Sequence, residues 1–494
     1  MAKEPSRSEE SVGKAKTEKP STKDILLADL ETFTDRVIDL SYGFPNIMRW
    51  TNLASRLAFK ELDDFVKSHG KSENLPDGKS VKHAIPLELL SEYKRLSRIH
   101  SSANAYYQRL PSLHLVSLVE ELDLILGSII STILEDSGSD ARLSEKSLDY
   151  GELKQFASID DARDHLVSRE VDRVLRDGVV GQLKWLAGVG IKIPLSHPFV
   201  RRTVELSERR NCEVHNDGYV NRSYITNCSA ASVEVGTLKE GDKFSYTQTY
   251  MERAFETCIV FAIMLFAGTW IKVCKKQDSK WDDLLTAINN VVYNLMVDTK
   301  FSIAKSILEL TFADINISPT DTFRRMLKVN LANCCKSLGD KPAALKILEE
   351  EDWRSCDSSF QAAVHAIRGE TDEALTSIRH GVASEQLSRM NLVEWPVFDD
   401  LRKLKKFKKL FAELFGEDAA EKIALGSVEL GSRKAAPDKF LTEVSKQISE
   451  LAEVVANERQ AQQPAGEPRA PVGSSKLRRV KSRAGLSKRT VKGP

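Results

Sequence analysis

The sequence predicts an all-α protein, a helical bundle followed by helical-hairpin repeats, and three observations carry that prediction. Apolar residues recur at helical spacing over most of residues 24–274, as in Leu26, Leu30, Phe33, Val37 and Leu40. Two helix-length stretches, 113–134 and 257–271, are strongly apolar and read as the core of a bundle. From Trp281 onward small residues and Leu/Ile recur in pairs, with Gly339 and Gly369, and Ala344 and Ala374, at equal separations. Glycine turns the chain between helices, and alanine lets neighbouring helices approach closely.

In chain order, residues 1–22 are polar, rich in Lys, Glu and Ser, and are expected to be a disordered tail. A helix over 24–40 is expected to break at Gly43-Phe44-Pro45-Asn46 and to resume over 47–66, carrying Trp50, Leu53, Leu57 and Leu62. Residues 69–82 read as a polar loop, and 87–110 as a third, more charged helix interrupted at Pro111. In the apolar helix 113–134, Glu120, Glu121 and Asp123 face solvent, pair with arginines, or reach a functional site. A polar loop over 136–150 leads to a helix over 159–185 and then to one over 198–216. Residues 221–242 are β-branched and turn-rich, as in a short hairpin, and 249–274 closes the bundle.

Bulk properties exclude several classes. A chain of 494 residues with a net charge of +1 has ample core and no global pull toward nucleic acid, so any such attraction is local. Seven scattered cysteines form no C-x2-C pair, which points away from a zinc site or a disulfide framework and toward a reduced, cytoplasmic setting. Residues 257–271 carry no charge but fall short of the ~20 needed to span a bilayer. The histidines other than His215 show no metal-ligand spacing, and no cofactor is implied.

One segment has residue types and spacing that suggest chemistry: Arg209-Arg210-Asn211-Cys212-Glu213-Val214-His215-Asn216-Asp217-Gly218. Ser196-His197-Pro198 starts a helix and Asn216-Asp217-Gly218 stops it, so His215 falls in the last turn. There the negative end of the helix dipole favours a protonated imidazole. At about 100° per residue Asn211 and His215 share a face, whereas Arg210 is turned roughly 140° from His215. One helix does not easily aim both at a single phosphate, but a second copy across a two-fold axis supplies the missing group.

Arg210-Asn211-Cys212-Glu213-Val214-His215 fits the R-x4–6-H motif of HEPN domains in its R-N-x3-H form. The continuation through Tyr219-Val220 and Tyr224-Ile225 resembles prokaryotic abortive-infection-type members of that family, of the RiboL-PSP- or MAE_28990-like kind, and the likeness covers roughly residues 85–275. It departs from one active subgroup in having Asp217, not tyrosine, two positions after the histidine. The resemblance implies a small helical bundle, a homodimer and metal-independent cleavage of RNA, in toxin–antitoxin or antiphage defence. Arg210, His215 and Asn211 would be its catalytic residues. Arg209 and Asn216 are candidate RNA contacts beside them. The alternative is a non-catalytic dimerisation and nucleotide-, RNA- or protein-binding module.

Residues 281–416 resemble tetratricopeptide-type repeats, through Leu331-Ala332-Asn333, Leu338-Gly339-Asp340 and Ala343-Ala344-Leu345 and their loose recurrence at Ala366 to Leu375. Such repeats build binding surfaces, here for an antitoxin or trigger protein. The domains expected are thus a tail over 1–22, a HEPN-type bundle over 23–276, repeats over 281–416, and a helix with a disordered basic tail over 432–494. Arg402 to Lys409 places six cations near one helix, as a solvated face or a nucleic-acid contact. The final residues carry Lys476, Arg478 and Arg479 in an acid-free tail, a non-specific RNA contact or a solubilising segment.

Overall fold

A computed structural model describes residues 21–74, 81–135, 147–274, 280–313 and 319–416. These belong to the first of two compact units, Met1–Glu421. The N-terminal tail over 1–20, most of the loop over 136–150, and the helix and basic tail expected over 432–494, with Lys476, Arg478 and Arg479, lie outside the described residues. What is described is almost wholly helical, apart from one two-stranded antiparallel ribbon.

Two very long helices run side by side. Helix α1, Thr22–His69, starts at a capping box between Ser21 and Asp24. Helix α2, Leu90–Glu135, returns beside it after strands β1, Lys71–Asn74, and β2, Val81–Ala84. Both breaks expected at proline are absent: Pro45 lies inside α1 and Pro111 inside α2. An interior proline costs ~3 kcal/mol, and packing against the neighbouring helix offsets it here. Phe44, next to Pro45, is buried with its ring 5.2 Å from that of His114 and 6.4 Å from that of Phe255. Within the polar loop expected at 69–82, residues 71–74 and 81–82 belong instead to the ribbon, and 75–80 lie outside the described residues.

The lower halves of α1 and α2 enter the main core, through Leu26 to Phe44 and Leu115 to Leu134. Beyond them α1 and α2 continue side by side as an arm that leads to the ribbon, and among the described residues its buried side chains join neither core. The single helix expected at 159–185 divides at Asp177 into α4, Ile159–Arg176, and α5, Gly178–Gly188, after a short α3, Tyr150–Leu153. Gly178, at φ 64°, makes the turn. Helix α6 is Pro198–His215 and α7 is Arg222–Ala230. The latter replaces the hairpin expected from 221: Asn221 caps it by accepting from Tyr224 N, and Tyr224 and Cys228, one turn apart, bury against Cys212 and Phe244. Only the isolated bridge of Tyr219 with Lys243 has strand character there.

Helix α8, Gln248–Val273, is the central rod. It is long and apolar enough to cross a membrane, and 83% of its most apolar window is buried inside the protein. The core runs on past it into α9, Lys280–Val297, and α10, Phe301–Ala313, so the hydrophobic interior does not stop at 276–281. Helix α11, Asp321–Ser337, faces two ways. Its Leu327, Leu331 and Cys334 belong to the main core, and its Val329, Ala332 and Cys335 to a second core. That second core holds α12, Lys341–Glu349; α13, Ser358–Arg368; α14, Thr371–Ala383; α15, Arg389–Glu394; α16, Asp399–Arg402; and α17, Lys405–Phe415. Gly339 and Gly369 turn two of its hairpins at φ 88° and 85°, and Ala344 and Ala374 are fully buried. Of the cations at 402–409, Arg402, Lys403 and Lys406 are taken up by Asp399, Asp400 and Asp372.

Glu351 ties α11 to the turn after α12. It accepts from Arg324 at 2.9 Å and Lys328 at 2.8 Å, with 9% of its side chain exposed. The Arg324 hydrogen bond lowers its pKa from 4.5, against the opposing effect of burial. A lowered folded-state value means that the stabilisation is complete above pH 4.5 and is lost as pH falls through the lowered value. Glu351→Gln is therefore expected to lose about 2 kcal/mol at neutral pH. Urea denaturation should show this gap narrowing as pH is taken below 4.5; a gap independent of pH would contradict the assignment.

Candidate functional site

Helix α6 carries every motif residue, and both its ends follow local chemistry. Pro198 occupies the first helical position, and His197 Nδ1 accepts from Phe199 N. At the other end Asn216 N and Gly218 N both donate to Cys212 O, at 2.8 and 3.2 Å. Asp217 and Gly218 take φ values of 51° and 73°. A Cβ on Gly218 would lie 2.7 Å from Glu213 Oε1 and would displace that carboxylate, while the positive φ itself favours glycine.

The rotation of the helix is set by Arg209. Its guanidinium contacts Glu205 one turn back, at 2.6 and 2.7 Å, and donates to Ser245 O at 3.4 Å. It lies 4.2 Å from the ring centre of Tyr250, 4.3 Å from that of Phe244 and 5.5 Å from that of Tyr246. Glu205 also accepts from Tyr224 at 2.8 Å and from Tyr250 at 2.9 Å, and Tyr246 donates to Glu213. Burial works against the Arg209 charge, but Tyr250 and Glu205 outweigh it and hold the guanidinium above its ordinary pKa. Burial, then the hydrogen bond to Glu213, pushes the Tyr246 phenol far up. With 7% of the residue exposed, Arg209, a candidate RNA contact from sequence, is a buried pin whose guanidinium is engaged by Glu205 and Ser245.

One residue further round, Arg210 turns toward α2. It pairs with Asp123, and its Nη1 donates to Asn211 Oδ1 at 3.2 Å. The expected options for the acids of α2 resolve individually: Asp123 joins the motif, Glu121 pairs with Arg36, and Glu120 is exposed. Burial raises the Asp123 pKa, while the Arg210 charge draws it back down. His215 is exposed in the last turn and makes no hydrogen bond among the described residues. Asn216 is exposed beside it, its amide donating to Tyr219 O at 2.7 Å. The helix thus presents a cation held against α2 and a free imidazole at its tip, in different directions.

A cavity of about 280 Å³ lies on the Arg209 side, lined by Glu205, Tyr224, Tyr250 and Arg253 among others. A larger one of about 580 Å³ lies between α1, α8 and the start of α10. Neither is lined by Arg210, Asn211 or His215. Among the described residues no group of three His, Cys, Asp or Glu side chains is placed to hold a metal ion. The Glu205–Arg209 pair was legible as an i,i+4 spacing, but the tyrosines and Asp123 come from distant sequence and carried no local signal.

The two adjacent arginines are expected to behave differently. Arg209→Ala leaves Glu205 buried without its counter-charge and should lose about 3 kcal/mol or more. Arg210→Ala removes a partly exposed pair and should lose about 1 kcal/mol. Denaturant titration of the two variants checks this, and equal losses would contradict the roles assigned.

No protein-family model, curated protein or solved structure matches this chain.

Proposed function

We propose that this protein is a metal-independent HEPN-type endoribonuclease, working as a homodimer whose composite site is built from two copies of α6. The observation that carries the reading is the surface made by its last two turns. An arginine steadied by Asp123 and Asn211, and an exposed histidine whose side chain has no partner among the described residues, leave in different directions a helix pinned from behind by Arg209. Neither cavity above is lined by these residues, and in the proposed dimer the second copy supplies the facing wall.

In this mechanism one His215 takes the proton from a ribose 2′-hydroxyl, and the 2′-oxygen attacks the adjacent phosphorus. The bond from phosphorus to the 5′-oxygen breaks, and the same His215, now protonated, gives that oxygen its proton, while Arg210 of the second copy faces the phosphate. An imidazole can carry the proton in either step. Arg210 offers its remaining N–H groups to the phosphate oxygens and stays charged throughout. Asn211 orients Arg210. The products are a 2′,3′-cyclic phosphate and a 5′-hydroxyl. A nuclease of this kind fits toxin–antitoxin or antiphage defence, and the hairpins from α11 onward, read as tetratricopeptide-like, would then receive the antitoxin or trigger.

Wild type, Arg210→Ala and His215→Ala, each incubated with total RNA in EDTA, test the proposal. Wild type should cut and leave cyclic phosphate ends, and either variant should lose about 100-fold or more in rate. Variants that cut as well as wild type, or a wild type that leaves RNA intact, would assign the motif to the non-catalytic alternative. The pairing of Arg210 with Asp123 is the observation that favours that alternative.

A further inference from the structure

We infer that the arm formed by α1 and α2 is a docking surface for single-stranded RNA and leads the strand toward Arg210. The arm's buried residues belong to neither hydrophobic core, and the part of it below Glu61 and Glu92 carries cations without acids. No Asp or Glu occurs between Asp39 and Glu61 on α1, or between Glu92 and Glu120 on α2. In those acid-free stretches Arg49, Arg56, Lys60, Lys94, Arg98 and Arg109 are all exposed, and none has a carboxylate partner among the described residues. Cations left unpaired on a protein of net charge +1 are an electrostatic footprint for a polyanion.

Rings are interleaved with these cations. Trp50 is 54% exposed, Phe59 56% and Tyr106 54%. Large aromatic faces in water beside unpaired arginines are stacking platforms for unpaired bases. A duplex keeps its bases stacked inside and offers such rings nothing, so the occupant is single-stranded.

Direction along the arm ties it to the motif. At about 100° per residue Arg98, Arg109 and Asp123 fall within roughly 40° of one another on α2. Arg109 and Asp123 are about 21 Å apart at 1.5 Å per residue. One face of α2 therefore runs from the cationic stretch to the carboxylate that holds Arg210. Only the choice of RNA over DNA rests on the nuclease reading; the charge and the rings do not.

Fluorescence anisotropy of the full chain carrying His215→Ala, in EDTA, tests the arm without cutting. The probes are a labelled single-stranded RNA of about 12 nucleotides, the same sequence as DNA, and the RNA duplex. The RNA strand should bind best. Arg98→Ser with Arg109→Ser should weaken it about tenfold and make the log–log salt dependence shallower by roughly 1.4. Trp50→Ser and Tyr106→Ser should each weaken it about fivefold with the salt slope unchanged. All four substitutions are at exposed positions, and circular dichroism checks that the helices persist.

Binding indifferent to these changes, or lost only when Lys476, Arg478 and Arg479 are neutralised, would overturn the inference. A preference for the DNA strand would overturn the choice of RNA. Trp50→Ser or Tyr106→Ser converting a dimer to a monomer in light scattering, with RNA binding intact, would reassign the arm to self-association. Arm-dependent binding in a wild type that never cuts RNA would remove the nuclease reading alone, and cutting that ignores the arm would remove the inference alone.

Discussion

The Glu205–Arg209 ion pair, closed over by Tyr224, Tyr250 and Phe244, sets the orientation of everything on α6. A charged pair taken out of water is destabilising unless its remaining hydrogen-bond positions are filled. Here both carboxylate oxygens accept from tyrosines, and ring faces lie within 4.3 Å of the guanidinium. Such an arrangement tolerates little rotation of the helix. With Arg209 directed inward, the ~100° step per residue brings Arg210 against α2, and the helix ends with His215 in solvent.

The same constraint explains why adjacent arginines differ so much. Arg209 is held by a carboxylate one turn away and by rings from the following loop and α8, and its charge serves the fold. Arg210 meets a single acid from α2 and keeps donors to spare, a more exposed arrangement that leaves its charge available. The end of α6 is fixed by the reversal at Asp217 and Gly218, which sits against Glu213, itself the acceptor for Tyr246. The exposed tip is thus connected through the backbone to the buried network.

Features governed by local chemistry were legible in the sequence. The start and stop of α6, the apolar rod α8, the glycine turns at 339 and 369 and the small residues between hairpins all depend on contacts a few residues apart. Features governed by distant partners were not. The proline breaks expected at 45 and 111 are overridden because each helix lies along its neighbour, and Phe44 is clasped by rings from α2 and α8. The hairpin expected from 221 is a helix because Tyr224 and Cys228 face a small core completed by Phe244. Nothing in the sequence places three tyrosines and a phenylalanine around the Arg209–Glu205 pair. Arg210, Asn211 and His215 do share the exposed end of α6, but only the fold supplies Asp123 as the acid that holds the first of them.

In the proposed dimer the two working groups of a site come from different copies of the chain, because one α6 directs them apart. Mixing Arg210→Ala chains with His215→Ala chains and measuring RNA cleavage tests this most directly. Each mixed dimer would hold one intact imidazole facing one intact guanidinium, so the account predicts activity in the mixture well above that of either variant alone. A mixture as inactive as its components, with exchange of subunits verified, would contradict it.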